Sequence, residues 1–211
     1  MKTKIILLTL LTAMAFTCQN LQAQFNYGLH AGLNLQTQAE LGQLWNNCEL
    51  YQGYTAGGFL EYKAFKNISF QTELNYQKKG DKEISTVEGI ESTTRREFNY
   101  LSVPVLIRGT INDPGLGDKF ELTFFAGPYA GYLTSASSKL KSGGSTSTED
   151  IENEAEKYDM GAIFGCGVNY KLANGAAIVA ELRYEMGLTQ VDKQDKDLRN
   201  KGAGITIGYR F

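Results

Sequence analysis

The sequence has a single histidine, few long apolar runs and little helical periodicity, and each shortage excludes a class of protein. No nucleophile stands at a recognisable spacing from His30, and no metal-ligand pattern or phosphate-binding glycine loop is present. Beyond the amino-terminal segment, the best candidate for a membrane helix is residues 101–107, which is short and interrupted by Ser102 and Pro104. Strands are therefore the expected main element.

Basic residues are not in excess either. The chain has 21 Lys and Arg against 23 Asp and Glu, a formal net charge of −2. Loss of Lys2 and Lys4 with a signal peptide would lower the net charge to −4. Such a chain cannot neutralise a phosphate backbone, so nucleic acid is not an expected partner.

The amino-terminal segment has the parts of a secretory signal peptide. A short cationic start precedes an apolar run over residues 5–16, and the small residue Ala23 precedes Gln24. The run is too short for a transmembrane anchor, which needs roughly 20 residues. We expect cleavage between Ala23 and Gln24, with a signal peptide over residues 1–23 and one barrel domain over residues 24–211.

Alternation of apolar and polar residues with period two recurs along the rest of the chain. Eight strands are predicted, over residues 25–35, 54–64, 67–78, 97–109, 119–134, 157–170, 175–188 and 201–211. Soluble strands are mostly about 5 or 6 residues long, whereas tilted membrane strands need about 9 to 11. The lengths therefore predict an all-β fold, a closed antiparallel eight-stranded transmembrane β-barrel.

The connections between the predicted strands alternate between short and long. Short ones fall at 65–66, 110–118 and 172–175, and long polar ones at 36–53, 79–96, 135–156 and 189–200. Membrane barrels with both termini in the periplasm keep their inner turns short. We therefore expect short periplasmic turns and long extracellular loops.

One face of the predicted strands is rich in glycine and carries single charges of both signs. Its charged residues and its histidine are His30, Glu61, Lys63, Glu73, Arg108, Glu121, Asp159, Glu181, Arg183, Glu185 and Arg210. The lumen of an eight-stranded barrel is just wide enough for side chains to fill. These groups are expected to form a charge network there, with His30 bonded to an acid such as Glu73 or Glu181.

The other face is apolar, with aromatic residues near the strand ends. They are Phe25, Tyr27, Tyr62, Tyr170 and Tyr209 at the predicted periplasmic rim, and Tyr76, Tyr132 and Tyr158 at the outer rim. Two aromatic girdles around an apolar band are typical of a bilayer-spanning barrel. A soluble barrel of the lipocalin type, the alternative, would turn its apolar face inward.

Five motifs together resemble the PorT-like outer-membrane β-barrel proteins of Gram-negative bacteria. They are FNYGLHAGLNL, YLSVPVLIRG, FFAGPYAGYL, DMGAIFGCGVNY and ITIGYRF. The resemblance implies a barrel in the outer membrane, and Ser102 departs from it where the family often has Glu. Tyr209 and Phe211, on the final alternating strand, resemble the signal read by the outer-membrane assembly machinery, which is therefore an expected partner.

The three cysteines have different expected surroundings. A lipoprotein signal ending at Cys18 is a minor alternative, because Thr17 stands where Gly, Ala or Ser is expected. Cys48 falls in the first predicted outer loop, whereas Cys166 alternates onto the lipid face near mid-membrane. A disulfide needs Cα atoms within about 7 Å, so both are predicted to remain thiols.

Two sets of charged residues, in or beside the predicted long loops, suggest surface contacts. A basic group could meet phosphates of lipopolysaccharide, and its members are Lys78, Lys79, Lys82, Arg95 and Arg96. The acidic stretch over residues 149–156 is interpreted as a solvated loop, with a divalent cation site as the alternative. Outer-membrane lipid and lipopolysaccharide are thus expected partners.

The function predicted from these features is a structural or surface-binding role for a monomeric barrel without catalysis, cofactor or metal. The alternatives are a small-solute porin and a hydrolase with its site at the barrel rim. The sequence names no ligand for the outer loops.

Overall fold

The computed structural model describes residues 24–39, 50–87, 90–112, 115, 117–142, 145–191 and 198–211. These residues form nine strands: β1 (Phe25–Ala39), β2 (Tyr51–Phe65), β3 (Ile68–Val87), β4 (Ile90–Ile111), β5 (Phe120–Ser142), β6 (Ser145–Asp150), β7 (Tyr158–Lys171), β8 (Ala177–Gly187) and β9 (Arg199–Arg210). In these ranges, no helix has the length and apolar character needed to cross a membrane.

Eight of the strands close into an antiparallel ring. Strands β1 to β5 pair in chain order, β5 also pairs with β7, and β7, β8 and β9 follow. The ring closes where β9 pairs with β1, with Gly28 opposite Arg210 and Ala39 opposite Arg199. Closure leaves the ring without an open edge, as a sheet in lipid requires. The predicted eight-stranded closed barrel is confirmed, and β6 is an additional strand outside the ring.

Short turns join the strands at one end of the barrel, which we call the turn end. Residues 66–67 join β2 to β3, and residues 172–176 join β7 to β8. Gly175 lies in the latter turn with φ 86°, a left-handed conformation that favours glycine. Lys171 continues this end of β7, and its backbone N–H donates to Lys119 O at 2.8 Å.

At the opposite, extended end, two of the predicted loops are sheet. Strands β3 and β4 stay paired up to Val87 and Ile90, and β5 runs to Ser142 before turning into β6. The predictions of long loops at 79–96 and 135–156 were therefore wrong. Ser, Thr, Lys and Glu occupy both faces of these extensions, so a hydrophobic period of two is absent there although the backbone is extended. The central parts of the other two predicted loops, 40–49 and 192–197, lie outside the described residues.

Outward-facing aromatic rings lie at two levels. At the turn end, the ring centroids of Phe25 and Tyr62 are 5.1 Å apart, as are those of Phe120 and Tyr170. Toward the extended end, the Tyr132 and Tyr158 centroids are 5.7 Å apart, and Tyr54 and Tyr76 form a similar pair. Exposed aliphatic residues such as Leu29 and Ile207 lie between the two levels. The outward face thus has an apolar band between two aromatic girdles, the arrangement that suits a bilayer.

Candidate functional site

The centre of the lumen is occupied by two arginines and two glutamates. Arg183 on β8 pairs with Glu73 across the barrel, Nη1 to Oε2 at 2.7 Å and Nη2 to Oε1 at 2.8 Å. Its Nη2 also lies 2.6 Å from Glu181 Oε2, and Arg108 Nη2 lies 2.7 Å from Glu181 Oε1. All four side chains are buried. The two cations balance the two carboxylates, so this group, the central cluster, carries no net charge.

His30 lies beside the central cluster and is held by an amide. Its Nε2 is 2.8 Å from Asn75 Oδ1, and Asn75 Nδ2 donates to Glu73 Oε2 at 2.8 Å. Nε2 of His30 is 3.9 Å from Glu73 Oε2, too far for a hydrogen bond. The expectation that an acid bonds His30 directly was therefore wrong. Asn75 intervenes because it is the next lumen-facing residue after Glu73 on β3.

A second cluster lies toward the extended end, around Lys79. The Lys79 Nζ is 3.0 Å from Asp159 Oδ2 and 2.9 Å from Glu185 Oε2, and only 1% of its side chain is exposed. The Tyr129 hydroxyl donates to Asp159 at 3.2 Å, and Lys79 Nζ lies 4.5 Å from the Tyr129 ring centroid. Asn200 Nδ2 donates to Asp159 Oδ2 at 3.0 Å. We call these residues the Lys79 cluster.

The lumen position of Lys79 was not predicted, since Lys79 was assigned to an outer loop near lipid phosphates. Lys79 continues the alternation that begins at Ser69, so extending the predicted strand 67–78 by one residue would have placed it in the lumen. Arg96, assigned to the same basic group, also points inward, and its Nη2 lies 2.8 Å from Asp81 Oδ2. The alternation of residues indicated the inward positions of Lys79 and Arg96, but the polar composition of the strand ends obscured it.

A third cluster lies at the turn end, where Arg210 is shared between two acids. Its Nη2 is 3.5 Å from Glu121 Oε2 and its Nη1 is 3.8 Å from Glu61 Oε2. Lys171 Nζ, absent from the predicted network, lies 2.9 Å from Glu121 Oε1. Lys63 was predicted to join this network, but it is exposed near the turn end of β2, and among the described residues it forms no ion pair with these acids. That prediction was wrong.

Aromatic side chains fill the space between the clusters, and glycines make room for them. Phe125 lies between Arg108 and Arg183, whose guanidinium carbons are 4.9 and 5.3 Å from its ring centroid. A Cβ added at Gly165 would lie 2.2 Å from Phe125 Cζ, so no larger residue fits there without displacing the ring. Near Gln36 and Glu185, a cavity of about 10 Å³ remains, which has room for about one water molecule.

An apolar layer closes the extended end of the lumen. Its buried members are Phe98, Tyr100, Leu133, Ala136, Ala155 and Val191, with Ile151 packed against them. Residues 151–157, which we call the cap segment, contribute two of these side chains. Ile151 N–H donates to Ala136 O at 3.3 Å, and Glu156 N–H donates to Val191 O at 2.9 Å. The prediction that residues 149–156 form only a solvated loop was therefore wrong.

Outside the lumen, Glu97 pairs with two lysines on the outward face of the extended end. Its Oε2 lies 2.9 Å from both Lys78 Nζ and Lys139 Nζ. Burial alone would raise the pKa of the Glu97 carboxyl, but the hydrogen bonds from Lys139 and Lys78 outweigh burial and lower the pKa from its ordinary value. These ion pairs lie on the outward face of the barrel, whereas those of the three lumen clusters lie inside it.

The last residues and the described cysteine face outward. The Phe211 ring is stacked 5.1 Å from Tyr27 and lies 5.0 Å from Tyr209. The Phe211 N–H donates to Tyr27 O at 2.9 Å, which continues the β1–β9 pairing by one residue. Cys166 is a free thiol on β7, opposite Leu182 on the outward face. Cys48, Ala23 and the signal segment lie outside the described residues.

The described residues also contain no group of three or more His, Cys, Asp or Glu side chains arranged to hold a metal ion. What they do contain is a closed barrel with an apolar belt and a charged, filled interior. The outer membrane protein beta-barrel domain matches residues 18–193, most of the chain. The protein belongs to this family. It is an outer-membrane protein, and its extended end is extracellular, since such barrels keep their short turns in the periplasm.

Several solved structures resemble this member of the family, while no curated protein matches it. Neisserial surface protein A is 12% identical, with a TM-score of 0.48 over 87% of this chain and 95% of that one. OprG from Pseudomonas aeruginosa is 9% identical, with a TM-score of 0.46 over 89% and 96%. Ail, the attachment invasion locus protein of Yersinia pestis, is 15% identical, with a TM-score of 0.41 over 89% and 99%.

Proposed function

We propose that this protein is a non-conducting outer-membrane barrel that acts by binding at its extracellular end. The observation that carries the proposal is the filled lumen. Three charge clusters follow one another from the turn end to the extended end, and the apolar layer at the cap segment lies above them. In the described part of the chain, these side chains leave little space through which a solute could pass.

Opening such a path would break buried ion pairs. Moving Arg183 aside leaves Glu73 and Glu181 without their shared cation, and moving Lys79 aside does the same to Asp159 and Glu185. Breaking a buried pair costs about 3 to 5 kcal/mol. The small-solute porin alternative requires both clusters and the apolar layer to move together, which makes a closed barrel the better proposal.

Single-channel recording on the purified full-length protein in planar bilayers tests the proposal. We expect no sustained conductance from the wild-type barrel. The double variant Glu73→Ala with Arg183→Ala, which removes the side chains that cross the centre, serves as the sensitivity control and should show more frequent openings. Sustained large conductance from the wild-type protein would contradict the proposal and favour a porin.

The rim-hydrolase alternative requires an imidazole at the barrel rim. His30, the single histidine of the sequence, is instead 7% exposed in the lumen, beside the central cluster. The geometry therefore gives this alternative no support.

We propose outer-membrane lipid, including lipopolysaccharide, as the immediate surroundings of the barrel. Three cations on neighbouring strands lie in one outward row above the outer girdle, since Lys82 is opposite Arg95 and Arg95 is opposite Lys139. A row of cations on the outward face attracts anionic groups such as lipid phosphates. Arg95→Ala should therefore lower the amount of lipopolysaccharide that copurifies with the protein, whereas Lys66→Ala at the turn end should not.

We further propose that Tyr209 and Phe211 are contacted by the outer-membrane assembly machinery. Deleting Phe211 should lower the amount of protein in the outer membrane at low expression, although its ring is 53% exposed and adds little to the finished fold. The matched control is Phe65→Ala, which removes another exposed aromatic at the same end. Wild-type membrane levels for the deletion variant would contradict this role.

A further inference from the structure

The extracellular end contains a pocket of about 190 Å³ between the cap segment, the inward face of β4–β6 and the end of β1. Phe98, Ile151 and Val191 form its apolar floor, and Gln38, Glu149 and Glu154 supply polar groups. We call it the mouth pocket. It is smaller than most drug-binding sites, which begin near 300 Å³.

Gln38 is the unusual member of the lining. Only 2% of the residue is exposed, and neither Nε2 nor Oε1 has a hydrogen-bond partner among the residues that the structure describes. A buried amide left without partners costs about 1 to 3 kcal/mol. The amide lines the mouth pocket, so a ligand placed there would complete its hydrogen bonds.

The charge of the mouth pocket is negative. In the register of the strands, Asp81, Arg96, Ser138 and Glu149 follow one another across four strands on the inward face. Arg96 is the only cation among the described lining residues, and Asp81 holds its guanidinium through Nε and Nη2. Within the described part of the chain, neither Glu149 nor Glu154 has an ion-pair partner. Two carboxylates therefore remain to attract a cation.

The walls of the mouth pocket are fixed by backbone hydrogen bonds. Ile151 N–H donates to Ala136 O, and Ala155 N–H donates to Ile151 O at 3.2 Å. Ala136 pairs with Phe98, so the cap segment is attached at the level of the apolar floor. A preformed site of this kind does not require a ligand to order its walls, and this favours binding.

From these four features we infer that the mouth pocket binds a small organic cation with a short hydrocarbon chain. The hydrocarbon chain would lie on Phe98, Ile151 and Val191, and the cationic head would meet Gln38 Oε1 and the two glutamates. The inference deepens the proposed function, on which it rests, by assigning a ligand class to the extracellular end.

Calorimetric titration of the full-length protein in detergent micelles with butylguanidinium tests this inference. We expect saturable binding of butylguanidinium, much weaker binding of guanidinium without the alkyl chain, and none of pentanoate. The double variant Glu149→Gln with Glu154→Gln should bind about tenfold more weakly, because hydrogen bonds to charged groups contribute about 1.5 to 3 kcal/mol. Gln38→Met, which keeps the side-chain length but removes the amide, should weaken binding to a similar extent.

Glu152→Gln is the matched control, because Glu152 belongs to the same acidic run but does not line the mouth pocket. Its affinity for butylguanidinium should equal that of the wild type. No saturable binding to the wild type, or equal binding to the wild type and the double variant, would overturn the inference. If the wild-type barrel shows no conductance in bilayers and does not bind butylguanidinium, only this inference is refuted. Sustained conductance of the wild-type barrel would instead refute the proposed function.

Discussion

The centre of the lumen and the extracellular end use charge in opposite ways. In the central cluster, the carboxylates of Glu73 and Glu181 each contact a guanidinium, and two cations balance two anions. At the extracellular end, Glu149 and Glu154 are exposed to solvent, and the buried amide of Gln38 has no hydrogen-bond partner in the described part of the chain. The first arrangement fixes side chains in one geometry, whereas the second leaves polar groups that a ligand could contact. The difference separates the region on which the proposed closed lumen depends from the region to which we assign ligand binding.

The largest effect is expected from Arg183→Ala, which removes the cation shared by Glu73 and Glu181. Arg108 would still pair with Glu181, but Glu73 would be left without a cation, which should lower the free energy of unfolding by about 3 to 5 kcal/mol. Urea unfolding of the barrel in lipid vesicles measures this. The control Lys141→Ala, on the exposed part of β5, should change the free energy by less than about 0.5 kcal/mol. Equal effects of the two changes would show that the lumen is not held by its ion pairs.

A somewhat smaller loss is expected for Lys79→Met, about 3 kcal/mol. Asp159 and Glu185 would lose their cation, but Asn200 and Tyr129 would still donate hydrogen bonds to Asp159. The measurement is the same unfolding experiment. If Lys79→Met lowered the free energy of unfolding no more than Lys141→Ala does, the Lys79 cluster would not stabilise the barrel as the central cluster does.

Phe98→Ala tests whether the extended end opens independently of the ring of strands. Removing this ring from the apolar layer should lower the free energy of local opening by about 3 kcal/mol. The free energy of global unfolding should change by less than about 1 kcal/mol, because the extended end can open without the ring of strands. Hydrogen exchange at Ala155 and Glu156 reports the local opening. Leu140→Ala, which truncates an exposed residue nearby, is the control, and a global loss for Phe98→Ala would show one cooperative unit.

The smallest effect is expected for Glu97→Gln, less than about 1 kcal/mol at pH 7. The folded protein lowers the pKa of Glu97, so its ion pairs stabilise the fold above the ordinary carboxyl pKa of about 4.3. That contribution is lost as the pH falls through the lowered folded-state pKa. The stability difference between the wild type and Glu97→Gln should therefore disappear in acid. Leu140→Ala, which removes no titratable group, should show no such pH-dependent difference.

The pattern of the sequence was sufficient to predict the closed ring and the face on which Arg183, Glu73 and Asp159 lie. Those features follow from a period of two, which each strand shows by itself. The partners of the charged residues could not be predicted, because they depend on the stagger between strands that are distant in sequence. For example, Arg183 meets Glu73 only once the barrel has closed.

The errors have local physical causes. Lys79 was misplaced because a polar strand end lacks the hydrophobic alternation that marks a strand. Lys63 was misplaced because it lies near the turn end of β2, where a position on the lumen face is already open to solvent. The cap segment was missed because Ile151 and Ala155 are isolated apolar residues in an acidic run. They become a core only when β5 supplies Ala136 and β4 supplies Phe98.

The pairing of β1 with β9 also has a kinetic consequence. The first strand cannot complete its hydrogen bonds until the last strand has been made and delivered, since Gly28 pairs with Arg210. Contacts between such distant residues form slowly. Until they form, the outward row of Leu29, Leu33 and Ile207 is exposed to water on a chain with an unpaired edge, a combination that promotes aggregation. The nascent protein must therefore be shielded along its route to the outer membrane. Aggregation is most favoured in the interval before β1 pairs with β9.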